Sequence, residues 1–179
     1  MKKIIAFAGS NSSTSINHAL VSHVANKIIH HNIKVIKLTD FPLPIFGEDL
    51  EKEKGYPETL SKLLNEIRSQ DALIISVNEH NAGISAFFKN VLDWLSRIEL
   101  KFMEGKKVLL LSTSPGKRGA LSALQYTESI VPRYSGELVA SFAFPSFSAN
   151  FSVEDNKVIN ADLASGLDNV IETFLASLE

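Results

Sequence analysis

No cysteine occurs among the 179 residues. That excludes disulfides, zinc–thiolate sites, iron–sulfur clusters and cysteine nucleophiles. Excess charge of one sign is also missing. Lys and Arg number 18 against 20 Asp and Glu, a formal net charge of −2, without the basic surplus of a dedicated nucleic-acid binder. No apolar run approaches the roughly 18 residues that span a membrane. The start, Met1-Lys2-Lys3 followed by Ile4–Ala8, imitates a secretory signal, but the apolar stretch falls short of the about 7–15 residues such a core needs. The expectation is a soluble cytoplasmic protein. Hydrophobic residues make up 45% and charged residues 21%, a globular balance that argues against disorder. The length suits one domain, residues 1–179, with a radius of gyration of about 16 Å.

Ile4-Ile5-Ala6-Phe7-Ala8, Ala72-Leu73-Ile74-Ile75 and Val108-Leu109-Leu110-Leu111 are continuous apolar runs. Strands buried on both faces, as in a parallel sheet, have this pattern. The strands predicted are Lys3–Ala8, Lys34–Leu38, Ala72–Val77, Val108–Ser112 and, more weakly patterned, Leu138–Phe144. Lysines at 34 and 37 suit a blunted edge strand. Helical periodicity fills the gaps: Ile16, Leu20, Val24 and Ile28; then Leu60, Leu63, Leu64 and Ile67 after Pro57; then Ala120, Leu121, Leu124 and Ile130; then Leu163, Leu167, Val170, Ile171, Phe174 and Leu175 behind a cap at Asn160. Strict alternation of strand and helix implies parallel strands with right-handed crossovers and helices on both faces. Five strands point to a flavodoxin-like three-layer α/β/α sandwich of order 2-1-3-4-5. Ligands in such sheets bind beyond the carboxyl ends of the strands, at the switch point.

Three loops fall at that edge. The first, Gly9–Asn17, is dense in hydroxyls (Ser10, Ser12, Ser15) and enters a helix. Free N–H groups at a helix start make a phosphate cradle. The loop reads equally as a simple helix cap, and its place in the fold favours the cradle. It follows neither the G-x-x-x-x-G-K-[ST] nor the G-x-G-x-x-G pattern. The second loop, Asn78-Glu79-His80-Asn81-Ala82-Gly83-Ile84-Ser85, offers polar edges, one aromatic face and small residues that admit a flat ligand. His80 taken alone is more often structural than chemical. The third loop, Ser112-Thr113-Ser114-Pro115-Gly116-Lys117-Arg118-Gly119, carries a basic pair at a helix start. That placement opposes the helix dipole unless an anion binds there, or unless the two charges are simply solvated.

On these residues the chain resembles the NADPH-dependent FMN reductases, flavodoxin-fold quinone, azo-dye and chromate reductases. The family's G-S-x-R-x-x-S-x-N is matched by Gly9, Ser10, Ser15 and Asn17. Its P-E-Y-N-G-S, L-K-N and D-W appear as Asn78–Gly83, Phe88-Lys89-Asn90 and Asp93-Trp94, and its S-P-G-x-x-G as Ser114–Gly119. Ser12 stands at the family's arginine, Asn78 at its proline and His80 at its tyrosine. The resemblance implies FMN, with the phosphate on Ser10, Ser12, Ser15, Ile16 and Asn17. The ring would lie against Asn78, Glu79, His80, Asn81, Ser112, Thr113, Ser114, Gly116, Arg118 and Gly119. It also implies NADPH or NADH as donor, a small-molecule acceptor, and a homodimer or homotetramer. His80 is a candidate proton or hydrogen-bond donor, and Lys117 and Arg118 are candidates for steering nicotinamide phosphates.

The helix after loop two has an apolar arc of about 160° through Phe87, Phe88, Val91, Leu92, Trp94, Leu95 and Ile98, wider than one core-facing stripe. The surplus, including Trp94, is either a dimer surface or covered by the chain itself. Lys89, Asp93 and Arg97 form a charged ladder beside it. His18, His23, His30 and His31 are expected on a solvated face of the first helix. The main rival is a flavodoxin-like electron carrier that binds FMN without oxidising NAD(P)H. A hydrolase using Ser10 lacks a late base, since the last histidine is His80. A receiver domain lacks the acidic pair after the first strand.

Overall fold

Apolar residues alternate between two faces along each central strand, and the layers follow from that. The computed structural model describes residues 1–179. Strand β1 (Lys3–Ala8) leads to helix α1 (Ile16–Lys27), strand β2 (Asn32–Val35), helices α2 (Glu48–Lys54) and α3 (Glu58–Arg68), and strand β3 (Ala72–Val77). A short hairpin, β4 (Glu79–His80) and β5 (Gly83–Ile84), precedes α4 (Ala86–Ile98), β6 (Lys107–Thr113), α5 (Leu121–Ile130) and β7 (Glu137–Phe144). The chain closes with α6 (Phe147–Asn150), the hairpin β8 (Phe151–Ser152) and β9 (Lys157–Val158), and α7 (Ala161–Ala176).

The main sheet is parallel, in the order β2-β1-β3-β6-β7. Counting only the five long strands, this is 2-1-3-4-5. Ile5, Phe7, Leu73, Ile75, Val108 and Leu110 pack toward α3, α4 and α5. Ile4, Ala6, Ala8, Ile74, Leu109 and Leu111 pack toward α1 and α7. The edges are managed differently. β2 leaves Asn32, Lys34 and Val35 exposed. β7 carries a register shift: Leu138 pairs with Val108 and Ala140 with Leu109, so Val139 is extra. Charge and irregularity both discourage further strand pairing.

Several boundaries moved. The second strand lies at Asn32–Val35 rather than Lys34–Leu38. The Ile36 N–H still reaches the Ala6 carbonyl, but the chain then turns through a 3₁₀ turn at Leu38–Asp40, burying Leu38. Helix α1 ends at Lys27, with Ile28 as a buried extended cap. Helix α2 was not legible, because none of its residues is buried and so it has no apolar period.

The expectation that the histidines share a solvated face of α1 is corrected. Histidines 30 and 31 follow α1 rather than lying on it. His23 is not on a solvated face. Its ring meets Phe151 edge-on at 5.4 Å, and Nδ1 lies 2.8 Å from the Asn156 carbonyl. Burial lowers the pKa of His23, and burial with the nearby Lys37 lowers that of His18. The surplus arc of α4 is covered by the chain itself. Trp94 is fully buried, its Nε1–H donates to the Pro44 carbonyl at 2.8 Å, and Phe46 packs edge-on against it at 5.2 Å. Asn90 clamps the same segment through the Phe46 N–H and the Pro44 carbonyl. Of the charged ladder, Lys89 pairs with Asp93, while Arg97 turns to Glu51.

Candidate functional site

Loops one, two and three meet at the carboxyl edge, and buried polar bonds fix their relative positions. The Gly9 N–H donates to the Ser76 carbonyl at 2.9 Å. The Ser85 hydroxyl donates to the Gly9 carbonyl at 2.8 Å and caps α4 by accepting the Phe88 N–H. A Cβ at Gly9 would stand 2.7 Å from Phe88, so this close approach requires glycine. The Asn17 side chain accepts the Ser76 hydroxyl at 2.7 Å and the Thr113 N–H at 3.1 Å, and donates to the Thr113 carbonyl at 3.0 Å.

Loop one presents its backbone outward. Ser15 caps α1 by accepting the His18 N–H at 3.1 Å. Ser10 accepts the Ser12 N–H, and Ser12 the Thr14 N–H. The N–H groups of Ser15, Ile16 and Asn17 find no acceptor within the chain. They therefore point unpaired donors and the positive end of the helix dipole into the cleft. Ser10, Ser12, Thr14, Ser15 and Ile16 line that cleft together with Asn78, Glu79, His80, Thr113 and Ser114.

Loop two is a tight hairpin. Asn81 and Ala82 occupy its two turn positions with φ of 51° and 62°, both left-handed. Mirror-image turns of this kind match the twist of a hairpin. Asn78 is buried, and its Oδ1 has no hydrogen-bond partner. Its Nδ2 lies 3.4 Å from the His80 ring. The Glu79 carboxylate accepts the Ala123 N–H at 3.1 Å, reaching across to cap α5. This supplies the negative charge at the α5 start that loop three does not provide. The basic pair is not what completes that helix end.

Loop three is anchored from below. The Ser112 hydroxyl donates to the Gly119 carbonyl at 2.6 Å and the Thr113 hydroxyl to the Phe144 carbonyl at 2.8 Å. Both residues are buried; only Thr113 lines the cleft, and Asn17 already pairs its backbone N–H and carbonyl. Gly119 has φ of 59° and lies against the Phe144 backbone, where a Cβ would be 2.8 Å away. Gly116, Lys117 and Arg118 stand exposed at the rim, the two cations without an acidic partner. The structure thus brings all three loops together, but divides the anticipated residues into cleft-facing and anchoring groups. Asn17, Ser112, Thr113 and Glu79 anchor with their side chains.

Three groups were missed in the sequence. Ser85 had a signal, since it directly precedes an apolar helix and is a natural cap. Ser76 and Tyr126 had none. Tyr126 arrives by packing of α5 and joins His80, Asn81, Ile84 and Lys89 around a groove of about 500 Å³ beside the hairpin. His80 lines both this groove and the loop-one cleft.

A family model described as NADPH-dependent FMN reductase matches residues 2–148. A quinone reductase of Escherichia coli K12 is 28% identical over 130 residues, covering 72% of this chain and 69% of that protein. An NAD(P)H-dependent FMN reductase of Pseudomonas aeruginosa is 26% identical over 162 residues, covering 87% and 86%. Among solved structures, a flavoenzyme NAD(P)H:(acceptor) oxidoreductase from Paracoccus denitrificans aligns with a TM-score of 0.77 at 23% identity, over 98% of this chain and 96% of that one. This last likeness concerns the fold. No helix here is long and apolar enough to cross a membrane.

Proposed function

This chain belongs to the NADPH-dependent FMN reductase family, and from that premise we propose that it carries hydride from NAD(P)H through FMN to a quinone or similar small acceptor in the cytoplasm. The observation that carries the reading is the pairing of unsatisfied groups in one cleft. Backbone donors at Ser15–Asn17 suit a phosphate. The orphaned Asn78 Oδ1 suits a ring N–H, since a buried acceptor without a donor is costly. The quinone acceptor follows from the Escherichia coli relative.

Bound FMN supplies hydride and electron transfer. The protein supplies placement. Ser10, Ser12, Ser15, Ile16 and Asn17 hold the phosphate, the last two by their N–H groups. Asn78, Glu79 and His80 would line the ring on one side, with Asn81 beside them in the hairpin turn. Thr113 and Ser114 would line the other side of the ring, held from below by Ser112 and Gly119, with Gly116 and Arg118 at the rim. His80 would donate a hydrogen bond or proton to the ring or the acceptor where the cleft opens into the groove at Lys89 and Tyr126. That groove would admit nicotinamide and acceptor in turn beside His80. Lys117 and Arg118 attract the nicotinamide phosphates from the rim. With serine at position 12, the preference for NADPH over NADH is small. A second copy packs on the apolar groups left open beside α4, Ile45 and Tyr56, as a homodimer or homotetramer. Solution mass measurement tests that assembly.

The experiment is steady-state turnover of FMN-loaded protein with NADPH or NADH and a soluble quinone. An enzyme consumes the nicotinamide in proportion to quinone reduced. The rival reading, an electron carrier, shows no turnover until a separate reductase is added.

A further inference from the structure

The loop Ser10–Ile16 is a ridge with a cleft on each side. The proposed flavin cleft lies toward Asn78. On the opposite side is a larger cleft of about 740 Å³, walled by the segment after β2, by α1 and by the β8–β9 turn. A flavin mononucleotide with its phosphate on the ridge and its ring against Asn78 leaves this second cleft unused. Its volume is within the roughly 300–1,000 Å³ of small-molecule sites.

Its residues are those a nucleotide needs. Ile16, Leu38 and Val153 give it apolar walls, and Val153 is 66% exposed at its mouth. Asp40 and Lys37 line it, and neither is ion-paired. Their place in the fold is informative. β2 lies beside β1, and Asp40 stands in the 3₁₀ turn five residues beyond its carboxyl end. In Rossmann dinucleotide-binding units an acid after the second strand accepts the adenosine ribose hydroxyls of a dinucleotide whose pyrophosphate sits on the first loop, and Asp40 holds the analogous place here without the Gly-rich turn. Lys37 adds a cation on the side of the ridge that loop three does not reach.

We propose that this cleft binds an adenylate joined through pyrophosphate to the flavin, so that the protein accepts FAD as well as FMN. The proposal rests on the ridge being the flavin phosphate site. The test is calorimetric titration of flavin-free protein with FMN, FAD and riboflavin, repeated on the double variant Lys37→Ala, Asp40→Ala. FAD should bind at least as tightly as FMN, and riboflavin far more weakly. The double variant should bind FAD at least tenfold more weakly and FMN within threefold of the original protein. FMN binding with FAD tenfold or more weaker would overturn the adenylate site and leave the phosphate ridge standing. Equal losses for both flavins in the variant would overturn it too. Binding of neither flavin by the original protein would remove the flavin reading itself.

Discussion

Asn17 grips the backbone of Thr113 at both ends, accepting its N–H at 3.1 Å and donating to its carbonyl at 3.0 Å. The two residues come from opposite sides of the switch point, one at the start of α1 and one at the end of β6. Ser76, at the end of the strand between them, donates to the same Asn17 oxygen. Asn17→Ala leaves three buried polar groups unpaired, at about 1–3 kcal/mol each. The expected loss is about 3 kcal/mol or more in urea unfolding, with weaker FMN binding as loops one and three lose their common anchor. A loss under about 1 kcal/mol would mean that the loops hold each other by other means.

Ser10 and Ser15 are assigned to the phosphate. Replacing both by alanine should weaken FMN about a hundredfold or more, from two hydrogen bonds to a charged group at about 1.5–3 kcal/mol each. Ser15 also caps α1, so a stability loss of about 1 kcal/mol should accompany it. Calorimetry and thermal unfolding separate the two effects. A destabilised variant that binds FMN as well as before would show that Ser15 is only a cap.

Ala82 sits at φ of 62° in the hairpin turn, beside Asn81 at 51°. Glycine removes the left-handed penalty at that position, and Asn-Gly is the preferred pair for such a turn. Ala82→Gly should stabilise the protein by about 1 kcal/mol in urea unfolding. A loss of stability would mean that the turn is not held in this conformation.

The pH dependence follows from His23. Its pKa is lowered by burial, and Lys27 lowers it further, against the Asn156 carbonyl bond and Asp168, which raise it. A histidine whose folded pKa is depressed contributes its full stability above the unfolded value near 6.5. As pH falls below that value the unfolded chain takes the proton first, and stability declines. His18 acts in the same direction. His23→Gln should flatten, but not abolish, the fall in Tm between about pH 7 and 5. An unchanged slope would place the sensitivity elsewhere.

The central sheet was legible because Ile4–Ala8, Ala72–Ile75 and Val108–Leu111 are buried on both faces, and a run of apolar residues records that directly. The meeting of the three loops was legible, since topology alone sends Gly9, Asn78 and Ser112 to one edge. Local sequence does not record what a side chain does after packing. Ser112 and Thr113 look like ligand donors, yet their hydroxyls are committed to Gly119 and Phe144. Trp94 looks like surplus apolar surface until Pro44 and Phe46, about fifty residues upstream, fold over it. Glu79 does line the cleft, but its carboxylate is committed to an N–H on α5. None of these contacts has a periodic signature, and all but the Ser112–Gly119 bond join distant parts of the chain.

The most direct measurement is the reductive half-reaction followed in isolation. FMN-loaded protein is mixed anaerobically with NADPH or NADH, and the visible flavin absorbance is followed by stopped flow. A quinone is then added. The predicted result is bleaching within catalytic times by either nicotinamide, with at most a small preference for NADPH, and full recovery of absorbance on adding quinone. Tight FMN binding with no bleaching by either nicotinamide would contradict the reductase account and leave an electron carrier on the same fold.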